Sequence, residues 1–209
     1  MPSISSNPIR VAPQQERSAR RLATFLDAAA ELFAEAGYEA ATMKAIAKRS
    51  GSSIGALYNY FPDKQAIALT LLNQYAQELE AYWKPLMEQA RNLTHQEFAS
   101  LFIERITELV RKRPAYLSLH AAPVRLRRDP AAKRALRVTI GNAFRAKNPL
   151  LSDEQSVLAA NVTLQMVRGL KTLYAEAESK GKDLVVAEFK KVLTLYLGNL
   201  LSQNEATPK

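Results

Sequence analysis

Residues 42–64 read TMKAIAKRSGSSIGALYNYFPDK, Thr42 to Lys64. Thr42 is an N-cap residue type ahead of a short helix whose Ile46 and Ala47 face inward, and Ser50-Gly51 closes it. Ser53 caps a second short helix running through Tyr60, and Gly51-Ser52-Ser53 forms a tight turn between the two. Two short helices joined by a Gly-containing turn are what a helix-turn-helix needs, because the second is then presented outward. Pro62, a residue type suited to a first helical turn, is read as opening a fourth helix. Upstream, Leu22, Phe25, Leu26, Ala29, Leu32, Phe33 and Ala36 recur at three- and four-residue steps and form one stripe of a supporting helix, with Gly37 as its stop.

The same periodicity continues downstream. Ile67, Leu71, Leu72, Tyr75, Leu79, Tyr82, Trp83 and Leu86 mark a long fourth helix that Pro85 is expected to bend or end. Thr94 with Glu97 is a capping box opening a fifth, which Pro114 stops. Pro123 and Pro130 bracket an Arg-rich connection, followed by a helix over 131–147. Ser152 with Gln155 opens a long helix expected to run from Asp153 to about Lys180, stopped by Gly181, and a last helix spans Asp183 to about Leu201. No segment alternates as a strand does. The fold class expected is all-α, with about nine helices. Residues 1–17, rich in Ser, Pro and Gln, read as a disordered arm.

The chain has 209 residues, 47% of them hydrophobic, enough for a core without staples. With no cysteine, a disulfide framework, thiolate metal site and thiol nucleophile are excluded. His95 and His120 lack metal-ligand spacing, and no nucleotide-binding or nucleophile-elbow motif occurs, so no metal, cofactor or enzymatic activity is expected. No apolar run reaches the length of a signal peptide or membrane span, which points to a cytoplasmic protein without a membrane partner. The net charge of +9 points to an anionic partner, but its location is uneven. Residues 105–147 hold 12 Lys and Arg against 2 Asp and Glu, whereas residues 1–64 hold 8 against 6.

The stretch from Thr42 to Lys64, together with AAAELFAEAGYEAAT from Ala28 to Thr42, resembles the DNA-binding signature of TetR-type transcriptional regulators. The resemblance covers Ser18 to Lys64 and includes Gly37-Tyr38, Thr42, Ile46-Ala47, Gly51, Gly55, Leu57-Tyr58, Tyr60-Phe61 and Lys64 in register. It implies a helix-turn-helix DNA-binding domain over 18–64 and a helical effector-binding and dimerisation domain over 65–209. The partners it implies are double-stranded operator DNA, a second copy of the chain and a small-molecule effector.

Candidate DNA contacts follow. Thr42, Ser52 and Ser53 sit at helix starts, where a hydroxyl and free N–H groups can meet one phosphate; the alternative for each is capping alone. Gly55 lets the second helix lie close to the duplex or merely pack against another helix. Ile54, Ala56 and Asn59 are placed for base edges, with Asn59 suited to adenine and Ile54 to a thymine methyl. Tyr58 and Tyr60 place hydroxyls on phosphates in the family, and Lys64 is its phosphate-binding lysine. Lys44 adds charge or is a solvated residue.

For the body, the candidate effector contacts are Tyr75, Tyr82, Phe98, Phe102, Tyr116, His120, Phe144, Gln165, Met166 and Tyr174, each equally readable as core. Their character suggests an apolar or aromatic effector, and the basic stretch leaves room for an acidic group. Leu158, Val162 and Leu173 on one helix and Leu193, Leu197 and Leu200 on the next suit a four-helix dimer interface or an internal bundle. Arg111, Lys112, Arg113, Arg125, Arg127 and Arg128 are expected near the duplex, steering it without reading sequence; the alternative is a solvated basic face or a site for an anionic effector. The rival reading is a helix-turn-helix protein with no small-molecule ligand.

Overall fold

The computed structural model describes residues 12–122 and 130–202. Among them it contains nine α-helices, a short 3-10 turn and no strand. The helices are α1 (Ala12–Ala40), α2 (Met43–Arg49), α3 (Ile54–Tyr58), α4 (Lys64–Gln89), α5 (His95–Lys112), α6 (Ala115–Ala121), α7 (Pro130–Lys147), α8 (Asp153–Glu176) and α9 (Ser179–Ser202).

The N-terminal module is built as its pattern requires. Phe25, Leu26, Ala29 and Phe33 of α1 close over Ile46 and Ala47 of α2, Leu57 of α3 and Phe61, all of them buried. Gly37, at φ 82° and ψ 166°, breaks α1, and Gly51 at φ 65° makes the turn between α2 and α3. Both lie in the left-handed region that glycine adopts without steric cost. The Thr42 hydroxyl accepts from the Ala45 amide at 3.1 Å, and Ser53 does the same for Ala56 at 3.2 Å, so both expected caps are present.

In the body, α5 runs through the centre. Phe98, Phe102, Ile103, Ile106 and Leu109 are fully or almost fully buried against α4, α7 and α9. Its expected capping box forms, the Thr94 hydroxyl accepting from the Glu97 amide and Glu97 accepting from the Thr94 amide. Trp83, Phe102 and Phe98 stack in sequence, with Phe144 edge-on at the end. Helices α7 and α8 cross at Gly141, where a Cβ would meet the Ser156 main chain at 3.2 Å. Buried Asn148 ties the turn between these helices to the C-terminal end of α9 by donating to the Leu200 carbonyl at 3.1 Å.

Several boundaries differ from expectation. α1 begins at Ala12, so residues 12–17 are helical; Pro13 sits in its first turn, and Gln and Glu sustain a helix without a buried face. Residues 1–11 of the expected arm lie outside the described residues. Asp63, not Pro62, caps α4, accepting from the Ala66 amide at 2.7 Å. Pro85 does not end α4: it lies on the exposed side of the helix, where water can satisfy the carbonyl freed one turn back. Helix α6 was not separable from the loops around it, since seven residues are too few to show a period. Finally, α8 stops at Ala177, four residues before Gly181, which falls in the first turn of α9. A glycine permits a helix end but does not compel one, and α9 folds back just beyond Tyr174, the last buried anchor of α8.

One polar staple joins α5 to α9. Lys190 donates to Glu104 at 2.6 Å, and this hydrogen bond holds the Glu104 carboxyl below its ordinary pKa of 4.5. A depressed carboxylate pKa contributes stability that is present above the unfolded value and lost as pH falls through the folded one. Glu104→Gln is therefore expected to cost up to about 1 kcal/mol at neutral pH, the pair being half exposed. Urea melts at neutral pH and below pH 4 should show that difference shrinking on acidification.

Candidate nucleic-acid interface

The surface of α3 is unusual for a folded chain. Ile54 is 44% exposed and Tyr58 50% exposed, on a helix of five residues held from beneath by Leu57 alone. Between them Gly55 has no atom within 4 Å of the position a Cβ would take, and its φ is ordinary. Nothing inside the chain requires glycine there. Ala56 is half-buried against the module, while Asn59 follows α3 exposed. An exposed branched aliphatic, a phenol and a carboxamide around a bare backbone suit the edges and phosphates of a major groove.

Around α3 the module offers hydroxyls and cations. Thr42 and Ser53 are exposed caps whose hydroxyl oxygens accept from the backbone, leaving their own hydrogens to donate outward. Ser52, half-buried, leans on the Ser50 carbonyl at 3.4 Å, and Lys44 is exposed on α2. Tyr60 packs edge-on against Phe25 and brings its hydroxyl to 3.2 Å from that of Ser18, so it anchors the first part of α1.

That anchoring brings in residues the sequence reading passed over. Arg17, Arg20 and Arg21 share an open cleft with Ser18 and Tyr60, giving the module a basic flank. Its modest net charge had hidden them: Asp27, Glu31 and Glu35 of the same helix line a separate cleft facing the body, and Arg49 pairs with Glu31 and Glu35. Opposite charges at different levels of one helix cancel in a count and not in space.

Lys64 stands differently from the expectation. Its ammonium donates to the carbonyls of Tyr38 at 2.7 Å and Glu39 at 3.1 Å and lies 4.4 Å from the centre of the Tyr38 ring. It thus satisfies carbonyls just past the Gly37 break and fastens α4 to α1. Only its third hydrogen is left for a phosphate.

The basic segment 105–147 is dispersed by the fold. Arg113 makes a two-pronged pair with Glu78, at 3.1 and 2.7 Å, and Lys112 binds Glu108 and the Tyr82 hydroxyl. Lys112 and Arg113 also line the cleft opposite the acidic side of α1, which puts the end of α5 beside the DNA module. Arg111 reaches Asp183 at 3.8 Å, Arg145 pairs with Asp153, and Lys147 donates to the Ala90 and Leu93 carbonyls. Arg125, Arg127 and Arg128 lie outside the described residues.

Comparison with known proteins agrees with this geometry. The model of bacterial regulatory proteins of the tetR family matches residues 25–71, and that of a tetracyclin repressor-like C-terminal domain matches residues 94–197. The chain belongs to the TetR family. It is 32% identical over 78 residues to the HTH-type transcriptional repressor KstR of Mycolicibacterium smegmatis, an alignment covering 37% of this chain and 36% of that one. To the HTH-type transcriptional regulator UidR of Escherichia coli K12 it is 34% identical over 98 residues, covering 41% and 50%. The chain thus spans half or less of the curated relatives it matches. A transcriptional regulator from Pseudomonas aeruginosa PAO1 shares the fold, with a TM-score of 0.65 at 17% identity over 93% of this chain and 94% of that one. The protein has the all-α architecture of that family. Among the described residues no helix is long and apolar enough to cross a membrane.

In the body a cavity of about 210 Å³ lies among α4, α6, α7 and α8. Three of the ten sequence candidates line it: Tyr116, His120 and Gln165. Phe98, Phe102 and Phe144 are wholly buried and fill the core beside it. Tyr82 opens onto a surface cleft with Lys112, and Tyr75 onto the cleft facing α1. Tyr174 is buried near the end of α8 with Lys182 over its ring, and Met166 is half-buried in α8 outside the cavity. Trp83 and Leu79 of α4 form the apolar wall with Leu136, Leu164 and Val167. Across the mouth, Lys171 donates to the Tyr116 hydroxyl at 3.3 Å and lies 3.4 Å from His120 Nε2.

A first expectation concerns Gly55. Gly55→Ala should leave the folded chain unchanged or more stable by about 0.4–1 kcal/mol, since the added methyl meets nothing within the protein. DNA binding should weaken at least tenfold if the helix backbone lies against the duplex. Thermal melts and a DNA titration on one preparation read both signs.

Proposed function

We propose that the chain acts in the cytoplasm as a homodimeric repressor, held on a two-half-site operator through residues 42–64 and released when a small molecule occupies the α4–α6–α7–α8 cavity. The observation that carries the release step is the placement of α6. Its Tyr116 and His120 line the cavity, while its buried residues Ala115 and Leu119 seat the helix against α1 of the DNA module. Helix α4 offers a second link, with Leu79 and Trp83 in the cavity wall and Lys64 fastened to α1 at its other end. A ligand that moves either helix moves the reading head. Because both heads must enter successive major grooves together, a small change in their spacing is enough to lower affinity. A hundredfold release requires the ligand to prefer the non-binding form by about 2.7 kcal/mol.

Homodimerisation is supported by the outward sides of α8 and α9. Leu158 and Leu173 on α8 and Leu184, Val192 and Leu195 on α9 are all exposed. The face differs from the one expected on α9, where Leu193 and Leu197 are fully buried and Leu200 is half-buried. Five large apolar side chains on two neighbouring helices are more than a monomer exposes without purpose.

The test begins with selection of bound fragments from random duplex DNA by the purified protein. It should recover a palindrome with half-sites about one helical turn, or a multiple of it, apart. On that operator Ile54→Ala and Asn59→Ala should each cost about 1–3 kcal/mol and relax preference at one base pair per half-site, whereas Tyr58→Phe should weaken all sequences alike. Recovery of no preferred sequence would count against the operator reading. An effector panel that binds the protein without altering operator affinity would favour the ligand-free alternative.

A further inference from the structure

The charge around the cavity is one-sided. Lys133 and Arg137 approach it from α7, and Arg168 and Lys171 from α8, while among the described residues no Asp or Glu lines it, Glu176 lying in the adjoining cleft that shares His120, Arg168 and Lys171. Several cations elsewhere pair with carboxylates, among them Arg49, Arg105, Arg111, Lys112, Arg113, Arg145 and Lys190. Lys133, Arg137 and Arg168 make no ion pair among the described residues. Gathering like charges at a half-enclosed volume is unfavourable unless an anion completes it. The spacing is local and regular, Lys133 and Arg137 being one turn apart on α7 and Arg168 and Lys171 one turn apart on α8.

A second observation is independent of charge. Two residues of the cavity wall carry buried donors without a hydrogen-bond partner, the indole Nε1 of Trp83 and Nε of Arg137. Buried donors without acceptors are rare because each forfeits its hydration. Here two of them belong to the wall of one cavity.

We infer that the effector is an organic anion, a carboxylate or phosphate monoester carried on an apolar body. This rests on reading the cavity as the effector site. The guanidinium groups of Arg137 and Arg168 take the anion, whose planar or tetrahedral oxygens match their paired N–H donors. Leu79, Trp83, Leu136, Leu164 and Val167 cover the apolar remainder. The sequence alone suggested an apolar or aromatic effector with room for an acidic group; the cavity wall makes the charge the selecting feature.

Trp83 is the single tryptophan of the chain, so its emission reports occupancy directly. The full-length protein is titrated with octanoate, octyl phosphate and the neutral octanamide, none of which absorbs with the indole. At least one anion should bind tenfold or more tightly than octanamide, and the ratio of octanoate to octyl phosphate affinity identifies the headgroup. Arg137→Gln with Arg168→Gln should reduce the preference to below threefold and leave octanamide binding unchanged. Arg111→Gln, outside the cavity, should preserve it. If the double variant loses helicity, Lys133→Gln, an exposed change, takes its place and should lower the preference at least threefold. Octanamide binding as tightly as both anions overturns the anionic class and leaves the cavity reading standing. Silence of Trp83 and of calorimetry towards all three compounds overturns the cavity reading itself.

Discussion

Leu195→Glu is expected to convert the protein to a monomer in sedimentation and to lower operator affinity by two orders of magnitude or more. Leu195 is 67% exposed on α9 and shares its outward side with Leu184 and Val192. On the dimer reading these residues are covered by their counterparts, and a carboxylate there would be buried opposite its own symmetry mate. An uncompensated buried charge costs several kcal/mol, and the twofold axis imposes it twice. Loss of the dimer removes the second half-site from the binding reaction, and with it an avidity factor of about 10²–10⁴. The isolated chain should not suffer, because the side chain makes no internal packing contribution. Unchanged thermal stability of a monomeric, weakly binding variant would complete the case; a Leu195→Glu protein still dimeric and tightly bound to operator would remove α9 from the interface.

Phe102→Ala is expected to destabilise the fold by about 3–5 kcal/mol. Phe102 is fully buried, stacked on Trp83 with ring centres 4.4 Å apart and an interplanar angle of 6°, and its other neighbour Phe98 lies at 5.8 Å. Truncation would leave a cavity bounded by two rigid rings, which collapse poorly into it. For a domain whose stability is about 5–15 kcal/mol, that is a large share of the whole. The same change frees the indole that forms part of the α4–α6–α7–α8 cavity wall, so the urea midpoint and the Trp83 emission maximum should move together. Phe102→Leu, which keeps most of the volume, should recover over half of the loss.

How far the sequence carried the reading can be followed through particular residues. The stripe from Leu22 to Phe33, the caps at Thr42 and Ser53 and the capping boxes at Thr94 and Ser152 are local signals, each complete within a few residues, and all appear in the structure. The helix-turn-helix was legible because its turn depends on one glycine and its ends on single hydroxyls. The body was legible only as a set of helices. Phe102 and Trp83 carry the same apolar periodicity, yet one fills the core and the other lines a cavity, since a period reports which side of a helix turns inward and not what it meets there. Arg137 and Arg168 were hidden for a related reason: 31 positions apart, they become a site only when α7 lies against α8 at Gly141.

By itself, then, the sequence determined the all-α class, the position of the reading head and the family, because capping, turn chemistry and helical period act over a single turn or two of chain. Only the tertiary structure decided that Lys64 fastens α4 to α1, that the basic segment is divided between ion pairs and a cavity, and that α9 turns Leu184, Val192 and Leu195 outward while Leu193 and Leu197 go in. Those outcomes depend on which helices become neighbours. An ion pair between Glu78 and Arg113, or a cavity shared by α4, α6, α7 and α8, joins residues tens of positions apart, and the energy that selects such neighbours is the burial of the whole core and not a property of any one segment.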